Sequence, residues 1–428
     1  MGEEICLESG LRGAGWMGIG CLMSVDRQSF KARWLFPVNA DPLENATIQV
    51  EAGKITAVHT KQDPQARDLG NSAIIPGLVN AHTHLEFSGL KKPLEPSSPF
   101  TDWLRTVIAH RRLGTESSAS IVTGMREIGQ SGTTIVGEIS TAQLNEDLFS
   151  PRGPMVVSLR ELIGFQTEQI EPQYTIAQNH LAEAKQKSRI PDVIHGISAH
   201  APYSVHPELF LKLSRLAGEH DVPFAVHLAE TKEELEFLAN GTGPFVTFLQ
   251  EFGVWHDAVV PLRSRPLDYL QPLQDLTSAL VIHGNYLSDE EIDFVAGHPN
   301  LTVVFCPRTH AFFGHSTHPW QDLLERGAKV AIGTDSRASN PDLSLFSELQ
   351  FLAERFPNAD PRVLLELGTV NGARALEPGS QRGCLAPGIP ADFAVVSLPK
   401  SDTREAYSLL FHPESRVRST LRNGQEMA

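Results

Sequence analysis

The chain has 428 residues, 41% of them hydrophobic, enough for a large core. Its length allows roughly two or three domains, or one barrel of about 250 residues or more with additions. Acidic residues outnumber basic ones 51 to 36, a net charge of −15, which is the wrong electrostatic sign for a nucleic acid or an anionic membrane.

The cysteines, Cys6, Cys21, Cys306 and Cys384, contain no CxxC pair, so neither a disulfide framework nor a thiolate zinc site is indicated. No apolar stretch reaches the length of a membrane span. These features describe an acidic protein of the cytoplasm. Residues 1–26 are Gly-rich and open on Glu3-Glu4 rather than a basic segment, so they do not read as a secretory signal. They read as a mobile extension, or as the product of an upstream start with Met23 as the natural beginning.

From Phe30 to Arg67, the alternating segments Ala46–Val50 and Lys54–Val58, broken at Gly53, predict a hairpin. Eight short β-type runs follow: Ile74–His84, Thr133–Glu138, Met155–Glu161, Val193–His200, Pro223–His227, Ala279–His283, Leu301–Cys306 and Lys329–Asp335. Helical spacing separates them, as in Pro207–His220, where Leu209, Leu213, Leu216 and Ala217 share a face. Eight alternating units predict an α/β protein, a (β/α)8 TIM barrel over 76–378. The remaining β segments, 27–75 and 379–428, are too few for separate domains. Together they predict one small β-sandwich domain formed by the N- and C-terminal segments.

Five of the runs end on a histidine or an aspartate, or, for Pro223–His227, also lead into Glu230. In a barrel the active site lies at the C-terminal ends of the strands, where these residues fall. A metal ligand is costly to bury unless it is paired or coordinated, so repeated endings of this kind point to a common metal. Strand alternation puts Leu78, Asn80, His82 and His84 on one face, and His-X-His then delivers two imidazoles to one point. No lysine closes the fourth run, which ends Ser198-Ala199-His200, so one metal is favoured over a carbamate-bridged pair. The ligands would be His82, His84, His227 and Asp335, around one divalent ion, Zn2+ by preference, with Fe2+ also compatible. Such an ion acidifies water toward hydroxide near neutral pH.

Glu230 is expected to carry protons as a general acid/base, and His283 to orient the water and hold developing negative charge. Asp335 can also take a proton from the water. His200, followed by Ala201-Pro202-Tyr203, is assigned to substrate contact. His310, His315 and His318 are read as part of a loop over the pocket rather than as a second metal site.

The ordered set Pro76-Gly77-Leu78-Val79-Asn80-Ala81-His82-Thr83-His84, His200-Ala201-Pro202-Tyr203, His227-Leu228-Ala229-Glu230, His283-Gly284 and Gly333-Thr334-Asp335-Ser336 resembles the amidohydrolase superfamily. Within it, the set looks like the mononuclear metal-dependent deaminase and chlorohydrolase branch. The resemblance runs from about Phe30 to the segment Gly383–Asp392. It implies a barrel with a small β-sandwich, and hydrolytic removal of ammonia, or sometimes chloride, from a heterocyclic carbon. It assigns His82, His84, His227 and Asp335 as ligands, Glu230 and His283 as proton handlers, and His200 as a substrate contact. The presence of both Glu230 and His283 favours loss of ammonia, a leaving group that must be protonated.

Glu86-Phe87-Ser88 and Phe100-Thr101-Asp102-Trp103-Leu104 look like the aminodeoxyfutalosine deaminases, whose substrate is an adenine carrying a carboxylated aromatic arm. This makes Trp103 a substrate contact. It also makes Arg160, Arg308 and Arg337 the expected receivers of a carboxylate. Alternatives are adenosine, methylthioadenosine, guanine or cytosine as substrate, or dehalogenation of a heterocycle. The expected partner is a small heterocyclic molecule, with no nucleic acid or membrane, and self-association into a homo-oligomer is open. The sequence departs from the branch at Thr309–Phe313, where Ser-Asn is common, and at Arg337, where an apolar residue is common. Both places are expected to line the pocket.

Overall fold

The computed structural model describes residues 27–61, 63–114, 118–142, 145, 148–187, 193–256, 263–401 and 403–427. The N-terminal extension and the choice between Met1 and Met23 lie outside them. Two sheets organise the rest. The first takes β1 (Arg27–Leu35), β2 (Leu43–Glu51), β3 (Lys54–His59), β4 (Arg67–Asp68) and β5 (Ser72–Pro76) from the front of the chain. The second holds β6 (Leu78–Thr83), β7 (Thr133–Ser140), β8 (Met155–Leu162), β9 (Val193–Ala199), β10 (Phe224–Leu228), β11 (Ala279–His283), β12 (Leu301–Phe305) and β13 (Lys329–Ile332). The tail then returns β14 (Phe393–Ser397), β15 (Arg416–Arg422) and β16 (Gln425–Glu426) to the first sheet.

The mixed sheet runs β16-β15-β14-β5-β1-β2-β3, with β4 beside β1, so the antiparallel β5–β14 pair joins the two ends of the chain. Phe30, Ile48, Val50, Ile74, Phe393 and Val395 pack together as its core. The hairpin expected around Gly53 is β2–β3.

The second sheet is all parallel, in sequential order from β6 to β13, and an isolated bridge between Thr83 and Asp335 brings its two edges together. Eight strands, each feeding a helical connection, make the (β/α)8 barrel. Apolar residues fill its interior, including Val79, Ile135, Leu159, Ala225, Ile282 and Ala331. Among the described residues, no helix is long and apolar enough to cross a membrane.

Two details differ from the sequence expectation. The run Ile74–His84 is two strands, β5 and β6, belonging to different sheets and separated at Gly77. A Cβ at Gly77 would lie 2.2 Å from Thr134 Oγ1, so only glycine passes there without displacing β7. Strand alternation is also imperfect at the two places that matter most. Val79 and Ala81 belong to the interior cluster, which by alternation alone would turn His82 outward. Between Asn80 and Thr83 the register with β7 shifts, and there the strand departs from strict alternation.

Candidate active site

At the C-terminal mouth of the barrel, β6, β10, β11 and the loop after β13 bring four imidazoles and a carboxylate together. The His82 ring lies 4.9 Å from that of His84, 5.0 Å from His227 and 5.8 Å from His283. Asp335 Oδ1 is 3.5 Å from His82 Nε2 and 3.8 Å from His84 Nε2. All five side chains are buried.

Local backbone and hydrogen bonds aim these groups. Asn80 Oδ1 accepts from the backbone N–H groups of His82 and Thr334, and its amide donates to Thr334 Oγ1, tying β6 to the loop that carries Asp335. The backbone N–H groups of Thr334 and Asp335 donate to the His82 carbonyl, and Ser339 Oγ donates to Asp335 Oδ2 at 3.0 Å. Glu138 accepts the Leu85 N–H on both oxygens, just past His84. Alternation along β11 places Leu280 and Ile282 inside, yet His283 also reaches the centre. Its φ of +68° is left-handed, a conformation costing a non-glycine residue on the order of 1 kcal/mol or more, and it turns a second consecutive side chain inward.

The donor set suits a divalent metal. His227 Nδ1 donates to the His200 carbonyl at 3.0 Å, which leaves the Nε2 lone pair for the centre. Both His82 ring nitrogens are buried with no hydrogen-bond partner, an expensive state for a fully buried imidazole unless it is coordinated. Ligand atoms of His82, His84 and Asp335 lie within 4.8 Å of one another, as do those of His82, His227 and His283. Burial and then the neighbouring imidazoles hold His84 well below the ordinary histidine range; burial, then His82 and His200, do the same for His227. The neutral form they favour is the one that ligates.

Glu230 follows β10, and its Oε1 lies 3.4 Å from His283 Nε2. Burial, then the carboxylates of Asp335 and Glu234, pushes its acid well above the usual range, so it can keep a proton to give. Glu234 holds it in place by accepting from the backbone N–H groups of Ala229 and Glu230 at 2.9 and 2.8 Å. Ala229 itself has φ +54°, and Asn285 fixes the Glu230 carbonyl.

Beside this centre opens a cavity of about 280 Å³. His84, His227, Glu230, His283 and Asp335 form its polar floor, and Phe87, Phe100, Trp103, Tyr203 and Phe248 are among its apolar walls. Trp103 stacks on Phe100 at 5.5 Å and is backed edge-on by Phe313 at 4.9 Å. His200 lines the cavity, its Nδ1 paired with Ser204 Oγ at 2.5 Å.

None of the three arginines expected to meet a carboxylate lines this cavity. Arg160 precedes the cavity-lining Glu161 and so points out of the barrel, where it donates to the Ser140 carbonyl. Arg308 is held by Glu348 at 2.6 Å and Asp342 at 2.7 Å, beside a different surface groove. Arg337 donates to the Leu90 carbonyl and to both oxygens of Glu127, all at 2.8 Å. Their pairings bind loops and helices together. The cation that does line the cavity is Arg111, from the helix Phe100–Arg112, paired with Glu86 and lying 5.2 Å over the Phe87 ring. Thr309–Phe312 belongs to the helix Pro307–Phe312, with Phe313 in the turn that ends it, rather than to a loop, and neither this segment nor His315 or His318 lines the cavity.

Residues 73–426 match the amidohydrolase family. A 5-methylthioadenosine/S-adenosylhomocysteine deaminase of Pyrococcus furiosus is 28% identical over 351 residues, covering 77% of this chain and 76% of that protein. An aminodeoxyfutalosine deaminase of Nitratiruptor sp. is 29% identical over 343 residues, covering 78% and 81%. Among solved structures, an adenosine deaminase from Xanthomonas campestris with bound zinc superposes with a TM-score of 0.77 at 24% identity, over 93% of this chain and 92% of that one. The chain belongs to the amidohydrolase family, and it is a hydrolase of carbon–nitrogen bonds other than peptide bonds.

Proposed function

We propose that the protein is a deaminase that removes ammonia from a purine-like heterocycle at a single divalent metal, Zn2+ by preference. The observation that carries this reading is the Glu230–His283 pair, 3.4 Å apart, beside the converging His82, His84 and Asp335. His82, His84, His227 and Asp335 would hold the ion. Three imidazoles and a carboxylate suit zinc, and the Xanthomonas relative in this fold carries it. When bound, the ion supplies Lewis acidity that brings water toward hydroxide near neutral pH.

The chain's own groups then do the proton work. Asp335 is placed to accept a proton from the attacking water. Glu230 gives its proton to a ring nitrogen, which makes the ring carbon electrophilic, and is reprotonated from the water; the second water proton, accepted by Asp335, passes to the amino group, which leaves as ammonia. His283, held neutral by burial and by its histidine neighbours, orients the water and stabilises negative charge as it develops. The aromatic walls supply stacking surface for a flat heterocycle.

The relatives act, by their names, on 5-methylthioadenosine, S-adenosylhomocysteine or aminodeoxyfutalosine. Aminodeoxyfutalosine is favoured here by Arg111, the guanidinium that lines the cavity wall even while paired with Glu86, with Trp103 and Phe100 among the same walls for an aromatic arm. Purified, zinc-loaded protein should release ammonia from aminodeoxyfutalosine faster than from methylthioadenosine, adenosine, guanine or cytosine. Turnover of methylthioadenosine alone would replace this substrate assignment. Silence on all five would overturn the deaminase reading.

A further inference from the structure

The proton machinery leaves one buried acid of the cavity unused. Glu161, near the C-terminal end of β8, is among the cavity-lining residues with its side chain 1% exposed. Among the described residues neither of its carboxylate oxygens has a hydrogen-bond partner. Its nearest charged-type neighbour is His200 Nε2, 3.9 Å from Oε1, too far for a hydrogen bond. The two groups therefore face a common gap, and Ser204 holds His200 by its other nitrogen.

A buried carboxyl without donors is costly, and a ligand that brings donors removes that cost. A site built this way rejects an analogue that lacks them, because the protein group is then left unpaired. Ligand atoms of Glu161, His200 and His227 lie within 4.8 Å of one another, so Glu161 is close enough to meet the heterocycle or the first group attached to it. The same three residues could be imagined around a second ion. His227, however, gives Nδ1 to the His200 carbonyl and has its remaining nitrogen for the first centre, so the trio lacks a third donor.

We propose that Glu161 is a specificity-determining residue, receiving paired hydrogen-bond donors from the substrate. The donors are hydroxyls of a sugar on the heterocycle or N–H groups on the ring edge. The inference rests on the deaminase reading.

The test compares wild type with Glu161→Gln and Glu161→Leu, using adenosine, 2′-deoxyadenosine, 3′-deoxyadenosine and 2-aminoadenosine, with metal content measured throughout. Glu161→Leu is expected to raise KM about tenfold to hundredfold while metal content stays at one equivalent. If sugar hydroxyls are the donors, the deoxynucleosides lose a similar factor on wild type and little more on the variant. If the ring edge is the donor, 2-aminoadenosine gains on wild type and that gain disappears in the variant. Wild-type turnover with kcat and KM unchanged in both variants would overturn the inference alone. So would two equivalents of metal in wild type and one in Glu161→Leu, which would make Glu161 a ligand. Where wild type turns over only aminodeoxyfutalosine, the KM of the two variants is read on that substrate, and wild-type silence on it as well as on every nucleoside would overturn the deaminase reading and this inference with it.

Discussion

Two histidine clusters sit within one fold, and among the described residues only one has the geometry to hold a metal ion. His82, His84, His227 and His283 converge at the barrel mouth with Asp335, and sets of three ligand atoms fall within 4.8 Å. His310, His315 and His318 also gather, with His310 5.4 Å from His315 and 5.8 Å from His318, ring to ring. Among the described residues no such set includes them. They are braces instead. His318 donates to the His283 carbonyl at 2.8 Å and stacks on Phe305, and His315 pairs with the Tyr286 hydroxyl. The difference teaches that density of imidazoles is a poor guide to coordination. What distinguishes the first cluster is a shared point of aim and a carboxylate.

The comparison can be broken by mutation. The largest effect is expected for His84→Ala or Asp335→Ala, which should lose the metal and lower ammonia release on the order of 1,000-fold or more. Full metal occupancy in either variant, by elemental analysis, would remove that residue from the ligand set. Glu230→Gln should keep the metal yet lower kcat by about 10²- to 10⁴-fold, and unchanged activity would deny it the proton role. Next comes Glu234→Gln, which weakens the clamp on Ala229 and Glu230. It should cost about tenfold to hundredfold in kcat with KM and metal content little altered. A change confined to thermal stability would make Glu234 merely structural.

The second cluster should respond to pH rather than to metal. Burial depresses His310 and His315 to about 4 and His318 to about 3. In the unfolded chain these imidazoles take protons near the ordinary value of about 6.5, while the folded protein refuses them. Their contribution to stability is therefore intact above about pH 6.5 and is lost as pH falls toward 4 and 3. His310→Phe should flatten the acid side of a stability-versus-pH curve, measured by denaturant unfolding, and leave metal content unchanged. An unaltered slope would mean that His310 is not one of the groups resisting protonation.

Much of this was legible in the chain. The eight strands announce themselves as short apolar runs, because parallel strands buried on both faces need no polar alternation. Their His and Asp endings mark the mouth of the barrel. The same signal extends further: Thr133–Glu138 and Met155–Glu161 also end on acids, of which Glu138 holds the backbone beside His84 and Glu161 lines the cavity. The arginines escape a reading by strand ends because nearness to a strand end says nothing of direction. Arg160 neighbours Glu161 and faces the opposite way, while Arg308 and Arg337 are claimed by Glu348, Asp342 and Glu127. Arg111 was invisible because a helix end carries no strand pattern, and its partner Glu86 lies 25 residues away. The left-handed turn at His283 is set by tertiary packing, which no local pattern encodes.

The most direct test of the central claim is ammonia release from aminodeoxyfutalosine and methylthioadenosine, measured as apoprotein is titrated with zinc. The account predicts activity rising in proportion to zinc, saturating at one equivalent, and absent from Asp335→Ala at any zinc concentration. Ammonia release that persists in the metal-free protein, or in Asp335→Ala, would contradict it.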